Sequence, residues 1–300
     1  MSRLLPAPVL AVVVGISFAL NTCFWFVPIL SFSLLKRLTP KSALRRAIAR
    51  AADQAAQNWV GCNAWLSDVL LPTKIEATGL AELDPKGQYF ICSNHQTWND
   101  IHVLQKTFYQ KAPFFKFFLK QELIWVPLLG LAWWGLDFPF MKRYSAAEIA
   151  KNPALKGKDI ETTRKAWKKF AGPPVSILNF LEGTRFTPAK HAQQNSPYRH
   201  LLKPKAGGFA FTLSAMGPKL RSFLDVTIVY PEGPKTFGQF LRGEVKRVIV
   251  EVQSREIPAH FFAGDYEGDA AFRAEVQAWV AALWAEKDAR IAVIQHKLGR

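Results

Sequence analysis

Thirty-two consecutive residues, Leu4 to Leu35, carry no charged side chain. About 20 apolar residues cross the hydrocarbon of a bilayer, so the run exceeds what one crossing needs. A cleaved leader would hold only about 7–15 apolar residues and end on small side chains. This run ends among Trp25, Phe26 and Phe32. Lys36, Arg37, Lys41, Arg45, Arg46 and Arg50 follow with no acid among them, and only Arg3 precedes it. The positive-inside bias places everything after residue 35 in the cytoplasm, on the face of the plasma (inner) membrane. Asn21 and Pro28 interrupt the run. The pattern favours a full span over a re-entrant segment dipping into one leaflet, and either geometry makes residues 1–35 a membrane anchor.

Residues 36–69 read as a basic juxtamembrane element with an amphipathic helix at 43–59. Leu44, Ala47, Ile48, Ala51, Ala52, Ala55, Ala56 and Trp59 recur at three- and four-residue intervals, with Arg45, Arg46 and Arg50 on other faces. Beside an anchor, such a helix suits a surface of anionic headgroups. Its plainer reading is a core-packing helix with a solvated basic side.

From residue 70 onward, β-type runs near 73–78, 88–93, 138–141, 175–181, 223–230 and 244–252 alternate with helical ones near 99–109, 160–170, 206–216 and 269–297. That alternation predicts one α/β domain over 70–300, with a central, mostly parallel sheet flanked by helices. Stretches 151–158 and 187–204 read as surface loops. Residues 113–140 crowd nine Phe and Trp side chains around Lys116, Lys120 and Glu122. They suit the headgroup level of a bilayer, the wall of an apolar channel, or a dense aromatic core.

Composition narrows the function classes. The formal charge is +16, and the three cysteines form no CxxC pair. A disulfide framework and a four-cysteine zinc site are therefore excluded, and a reducing compartment is expected. No His/Cys cluster has metal-ligand spacing, so neither metal nor cofactor is expected. His102, His191, His200, His260 and His296 default to structural or surface roles.

Two short motifs carry chemistry. The strand ending at Cys92 runs into Ser93-Asn94-His95-Gln96-Thr97-Trp98-Asn99-Asp100. Five residues apart on a regular helix, His95 and Asp100 would lie about 140° apart. They meet if His95 sits in the turn before the helix and Asp100 one turn into it. The imidazole then has one nitrogen on a carboxylate and one for a substrate proton, a base and its orienter without a protein nucleophile. Further on, the apolar run Val175–Leu181 meets Glu182-Gly183-Thr184-Arg185, where Gly183 permits a sharp turn and Arg185 offers a planar fork for phosphate. Lys203-Pro204-Lys205 before an apolar helix is a second anion candidate. Singly, each is more often an ordinary helix start or solvated loop.

Together, Asn94-His95 with Asp100 and Glu182-Gly183-Thr184-Arg185 resemble the glycerolipid acyltransferase superfamily, with its NHxxxxD and EGTR motifs. Lys120-Gln121-Glu122-Leu123 through Pro127, Gly130 and Gly135 to Arg143 is similar to that family's second block, and Val226 to Pro231 to its fourth. Leu202-Lys203-Pro204-Lys205 and Trp284-Ala285-Glu286-Lys287-Asp288 resemble the lysophosphatidic/lysocardiolipin acyltransferase branch. The resemblance covers roughly residues 70–235. It implies transfer of an acyl group from acyl-CoA or acyl-carrier protein to the free hydroxyl of lysophosphatidic acid or another lysophospholipid. By position, His95 would be the base and Asp100 its orienting partner. Arg185 and Arg143, with Lys205 behind them, would hold the acceptor's phosphate, and Glu182, Gly183 and Thr184 would shape its pocket. Lys142 stands where the family often has an acid before its Arg. The partners implied are a phospholipid bilayer, the lysolipid and the thioester donor, and no nucleic acid. Competing readings are a catalytically silent lipid-binding scaffold, a membrane-tethered nucleic-acid binder, and a thioester hydrolase using the same His–Asp pair.

Overall fold

The computed structural model describes residues 5–141, 151, 174–217, 220 and 222–299. The expected helix at 160–170 and Arg143 lie outside them. Helix α1 (Ala7–Leu38) is one continuous element with Pro28 inside it, and α2 (Ala43–Leu70) follows after a short turn. Among the described residues, α1 is the one helix long and apolar enough to cross a membrane. Its polar interruption is answered by α2: Asn21 Nδ2 donates to Asn63 Oδ1 at 2.8 Å and to the Trp59 carbonyl at 3.1 Å. Trp59 Nε1 in turn donates to Thr22.

Helix α2 runs well beyond the expected 43–59. Gly61 and Asn63 weaken the apolar period, yet both fit the packing around them. A side chain at Gly61 would collide with the Tyr109 hydroxyl, at 2.3 Å from its Cβ, so the glycine lets α2 approach the body closely.

The body is a six-stranded sheet in the order β1-β8-β7-β2-β6-β3. Its strands are β1 (Lys74–Thr78), β2 (Gln88–Ser93), β3 (Phe115–Phe117), β6 (Val175–Phe180), β7 (Ser222–Val229) and β8 (Arg247–Arg255). Every pairing is parallel except β7 with β8. A small parallel pair, β4 (Leu119–Lys120) and β5 (Phe140–Met141), stands apart. The expected mostly parallel α/β sheet is therefore what the chain forms.

Period-two alternation sends the strand side chains to two cores. Phe90, Ile177 and Phe223 pack under α6 (Ala206–Met216) and α8 (Ala270–Leu298), against Phe209, Val276, Val280 and Trp284. Ile91, Leu178, Leu224, Val226 and Ile228 face α3 (Asn99–Phe108), the start of α1 (Leu10, Val14), and Phe240 of α7 (Phe237–Leu241).

A third cluster joins α1 and α2 to the aromatic stretch, with Ile29, Ala52, Ala55, Ala56 and Val60 against Phe114, Phe138 and α4 (Leu129–Gly135). Phe114, Phe115 and Phe138 are thus core, whereas Trp125 is 85% exposed. Lys36 closes this layer by donating to the Gly135 carbonyl and Asp137. Stretch 187–204 is only partly a loop. Thr187 caps, and Pro188 opens, a short helix α5 (Pro188–Gln193), while Leu201 and Leu202 are buried.

Alternation puts Asp225 and Thr227 of β7 into the α8-facing core, where an unpaired carboxylate is untenable. Helix α8 brings Lys287 to Asp225 and to the Val226 carbonyl. Arg290 reaches Asp225, Thr227 and Gln253. Lys287→Met should therefore destabilise the protein by about 3 kcal/mol, because a fully buried carboxylate loses one of its two cations. Pairing it with Asp225→Leu should recover most of that loss in thermal unfolding. An unchanged single mutant would show the pair to be dispensable.

Candidate active site

Three adjacent parallel strands, β7, β2 and β6, end at the same edge of the sheet, where α/β proteins commonly hold ligands. Past β2, the Asn94 side chain continues the pairing. Its Nδ2 donates to the Ile228 carbonyl at 2.9 Å, and its Oδ1 accepts from the Ile228 amide at 2.8 Å. A buried amide that copies a backbone unit fixes where the chain leaves the sheet.

His95 follows in the turn and α3 begins at Asn99, so Asp100 lies in the helix's first turn, as the spacing requires. His95 Nδ1 donates to Asp100 Oδ2 at 2.8 Å. That oxygen also accepts the Gln96 amide at 2.6 Å and the Thr97 amide at 3.0 Å, and Oδ1 accepts the Tyr230 hydroxyl at 2.7 Å. A carboxylate only accepts, so Nδ1 carries a proton, and in the neutral imidazole the lone pair is on Nε2, away from Asp100. The imidazole lies on the Phe180 ring, centroids 4.0 Å apart and nearly parallel. Asp100 is fully buried, while the His95 side chain keeps 14% exposure.

Glu182, at the end of β6, is also fully buried. Its Oε1 accepts the His95 amide at 2.9 Å and its Oε2 the Leu202 amide at 3.1 Å. The Phe186 amide donates back to the His95 carbonyl at 2.7 Å. The two motifs thus clasp each other's backbones, and Glu182 works from behind the imidazole rather than at its open side. Gly183 has φ +67°, and a Cβ there would press on the Lys205 side chain at 3.2 Å. Thr184 accepts from Lys190 Nζ at 2.7 Å. The exposed Arg185 guanidinium sits 4.8 Å over the ring of Trp98, itself 54% exposed. A stacked guanidinium keeps its N–H edge for an anion. The site therefore gathers His95, Asp100, Glu182, Gly183, Thr184, Arg185 and Lys205. Among the described residues, no three His, Cys, Asp or Glu side chains form a metal-binding group.

Two contributors were not visible as such in the sequence. Tyr230 belongs to an apolar strand block, and nothing in its spacing links it to Asp100 across 130 residues. Burial and the neighbouring carboxylate push its phenol well above the usual range, so it remains a donor. Asn94 stood in the motif without a role, which its bridge to Ile228 supplies.

Fold and site together define an α/β protein with a buried carboxylate orienting a partly exposed imidazole beside a cationic rim. The same overall fold occurs in the crystal structure of the 1-acyl-sn-glycerophosphate (LPA) acyltransferase PlsC from Thermotoga maritima. That match has a TM-score of 0.53 at 14% identity and covers 93% of this chain and 98% of that one. The chain belongs to the acyltransferase family, which it matches over residues 74–235, more than half its length. Lysocardiolipin acyltransferase 1 of Danio rerio is 26% identical over 258 residues, 80% of this chain and 60% of the relative. The 2-acyl-1-lysophosphatidylinositol acyltransferase of Saccharomyces cerevisiae is 25% identical over 277 residues, covering 74% and 69%. The gamma 1-acyl-sn-glycerol-3-phosphate acyltransferase of Mus musculus is 27% identical over 194 residues, covering 61% and 46%. The chain thus spans about half to two thirds of the length of these curated relatives.

Burial pushes the Glu182 carboxyl up to about 7, against the opposing pull of its two backbone amides. A carboxyl whose folded pKa exceeds its unfolded one stabilises the fold most below the unfolded value and loses that contribution as pH rises through the folded one. Between about pH 5 and about pH 8, the wild type should therefore lose stability relative to Glu182→Gln, which cannot titrate. Melting temperatures of both proteins across that window check this. A constant difference would contradict it.

Proposed function

We propose that this protein transfers an acyl group from a thioester, acyl-CoA or acyl-carrier protein, to the free hydroxyl of lysophosphatidic acid or a related lysophospholipid. The observation that carries the reading is the buried Asp100 carboxylate holding the His95 imidazole with Nε2 as a free lone pair, in a chain of the acyltransferase family. Nε2 takes the hydroxyl proton as the acceptor oxygen bonds to the thioester carbonyl carbon. The resulting oxyanion intermediate collapses, the C–S bond breaks, and the proton passes from Nε2 to the departing thiolate. Base assistance of this kind is worth about 10²–10⁴-fold. Asp100 keeps the ring in the productive tautomer and balances the imidazolium charge. Arg185, steadied by Trp98, takes the acceptor's phosphate, with Lys205 across Gly183 as a second cation and Arg143 of the family's second block as a third.

The acceptor resides in a bilayer, and the protein offers a surface for one. Val12, Ile16, Leu20, Phe24 and Val27, each more than half exposed, form a stripe along α1 at three- and four-residue intervals. Leu10 and Val14 near one end of α1, and Lys36 near the other, hold that helix against the body. A helix tied at both ends fits one that lies in a single leaflet better than one that crosses it. Arg46 and Arg50 stand exposed near the start of α2, where anionic headgroups would lie. The basic flank favours the cytoplasmic leaflet of the plasma (inner) membrane.

Acyl transfer should be assayed on purified protein in detergent, with both donors and a panel of lysophospholipids. His95→Ala should lower turnover by roughly 100-fold or more. Arg185→Ala should raise the KM for phosphate-bearing acceptors while leaving thioester hydrolysis nearly unchanged. Equal turnover in wild type and His95→Ala would end the mechanistic assignment, and fatty-acid release indifferent to lysolipid would favour a hydrolase. Flotation with anionic vesicles tests the surface: Leu20→Glu with Phe24→Glu should weaken retention severalfold, and unchanged retention would contradict the placement of α1.

A further inference from the structure

Helix α8 begins more than eighty residues beyond Arg185 and contributes no side chain to the cluster around His95, yet its polar residues are organised toward the site. Lys287 and Arg290 fix α8 to β7, one to three residues before the Ile228 unit that clasps Asn94. That connection runs through a rigid sheet. A second one runs through an irregular segment. The Asp288 carboxylate accepts the Arg199 amide at 2.8 Å on one oxygen and the His200 amide at 2.7 Å on the other. Leu201 and Leu202 are then fully buried, Leu201 in the core cluster that holds Leu283 and Trp284 of the same helix. The Leu202 amide donates to Glu182, and Glu182 accepts the His95 amide. Three residues past Leu202, the Lys205 amide donates to the Leu181 carbonyl, which sets where the Lys205 side chain starts across Gly183.

We propose that Asp288 is a positioning residue for the transfer reaction, fixing the His95 backbone through the Arg199–Leu202 segment and Glu182. The segment between α5 and α6 has no regular structure from Asn195 to Lys205, so side chains hold it: Ser196 donates to the Leu201 carbonyl, Gln194 accepts the Lys203 amide, and Asp288 ties the stretch to α8. Asp288 is the only side chain among the described residues that receives two consecutive amides of that segment, and it receives them with the bidentate geometry of a carboxylate. Release of those amides leaves Glu182 buried with a loosened partner on Oε2, and the remaining bond to His95 is then free to shift. The inference rests on the acyl-transfer reading for its kinetic consequence but not for its structural one.

The test uses the full chain in detergent, with Asp288→Ala, Asp288→Asn and Asp288→Glu, and Ile291→Val as a control on the same helix that touches only core. Two quantities are read: kcat per folded protein, and hydrogen–deuterium exchange at the His95 amide. Asp288→Ala should lower kcat about tenfold, as expected when reacting groups are displaced by a fraction of an ångström. It should also speed exchange at His95 by tenfold or more, although His95 does not touch residue 288. Asp288→Glu, which keeps both acceptor oxygens, should return both quantities to within about threefold of wild type, and Ile291→Val should move neither. If Asp288→Ala fails to fold, Asp288→Asn, which keeps one acceptor, should show the same changes at smaller size. Wild-type kcat and His95 exchange in the softest folded variant would overturn the proposal. A fall in kcat with His95 exchange unchanged would overturn it too, because the loss would not have travelled through Glu182. Should the wild type transfer acyl groups to no acceptor, the functional reading fails, and exchange at His95 still decides the positioning role.

Discussion

Asp100 is the carboxylate on which the site is built. Four donors converge on it: an imidazole, two backbone amides and a phenol, from the turn after β2 and from the end of β7. Fully buried, it would be costly without them, and with them it becomes a rigid reference point. The tautomer of His95, the path of the turn and the junction between two strands all follow from satisfying one group. The sheet exists, in functional terms, to bring those donors to one place.

A second carboxylate repeats the device at the backbone level. Glu182 does for the main chain of His95 what Asp100 does for its ring, so the residue is held through its ring nitrogen by one carboxylate and through its backbone amide by the other. Phe180 supplies the remaining constraint by stacking on the ring face. Nearby, the exposed Arg185 guanidinium lies over the half-exposed Trp98 ring. Helices α1 and α2 complete that logic: their inner faces pack on the body, and the outer face of α1 is a stripe of exposed apolar side chains.

Much of this was legible in the residues. The alternation of strands and helices pointed to the parallel sheet: five predicted strands are strands of that sheet, shifted by up to three residues, and the sixth, 138–141, falls on the short β5 outside it. His95 with Asp100 and the Glu182–Arg185 stretch were weak signals by spacing alone, and became readable as one site through their joint resemblance to the acyltransferase motifs. Other features were not legible, for physical reasons. Strand β3 is three residues long and buried among aromatics, so it carries no period. Helix α2 hides its second half behind Gly61 and Asn63, whose fitness depends on Tyr109 and Asn21 from elsewhere in the chain. Tyr230, and the reach of Asp288 to Arg199 and His200, are contacts across long sequence separations, which local pattern does not encode. Short motifs pointed to the candidate site; tertiary packing supplied the groups that hold it still.

The central claim is that the lone pair on His95 receives a proton from the hydroxyl of a bilayer-borne acceptor. A structure of the protein with a lysophospholipid and an inert thioether analogue of the donor measures this directly. The account predicts the acceptor hydroxyl oxygen at about 2.6–3.2 Å from His95 Nε2, with the phosphate against Arg185. A hydroxyl bound elsewhere, with Nε2 turned toward protein and closed off from the lipid, would contradict it.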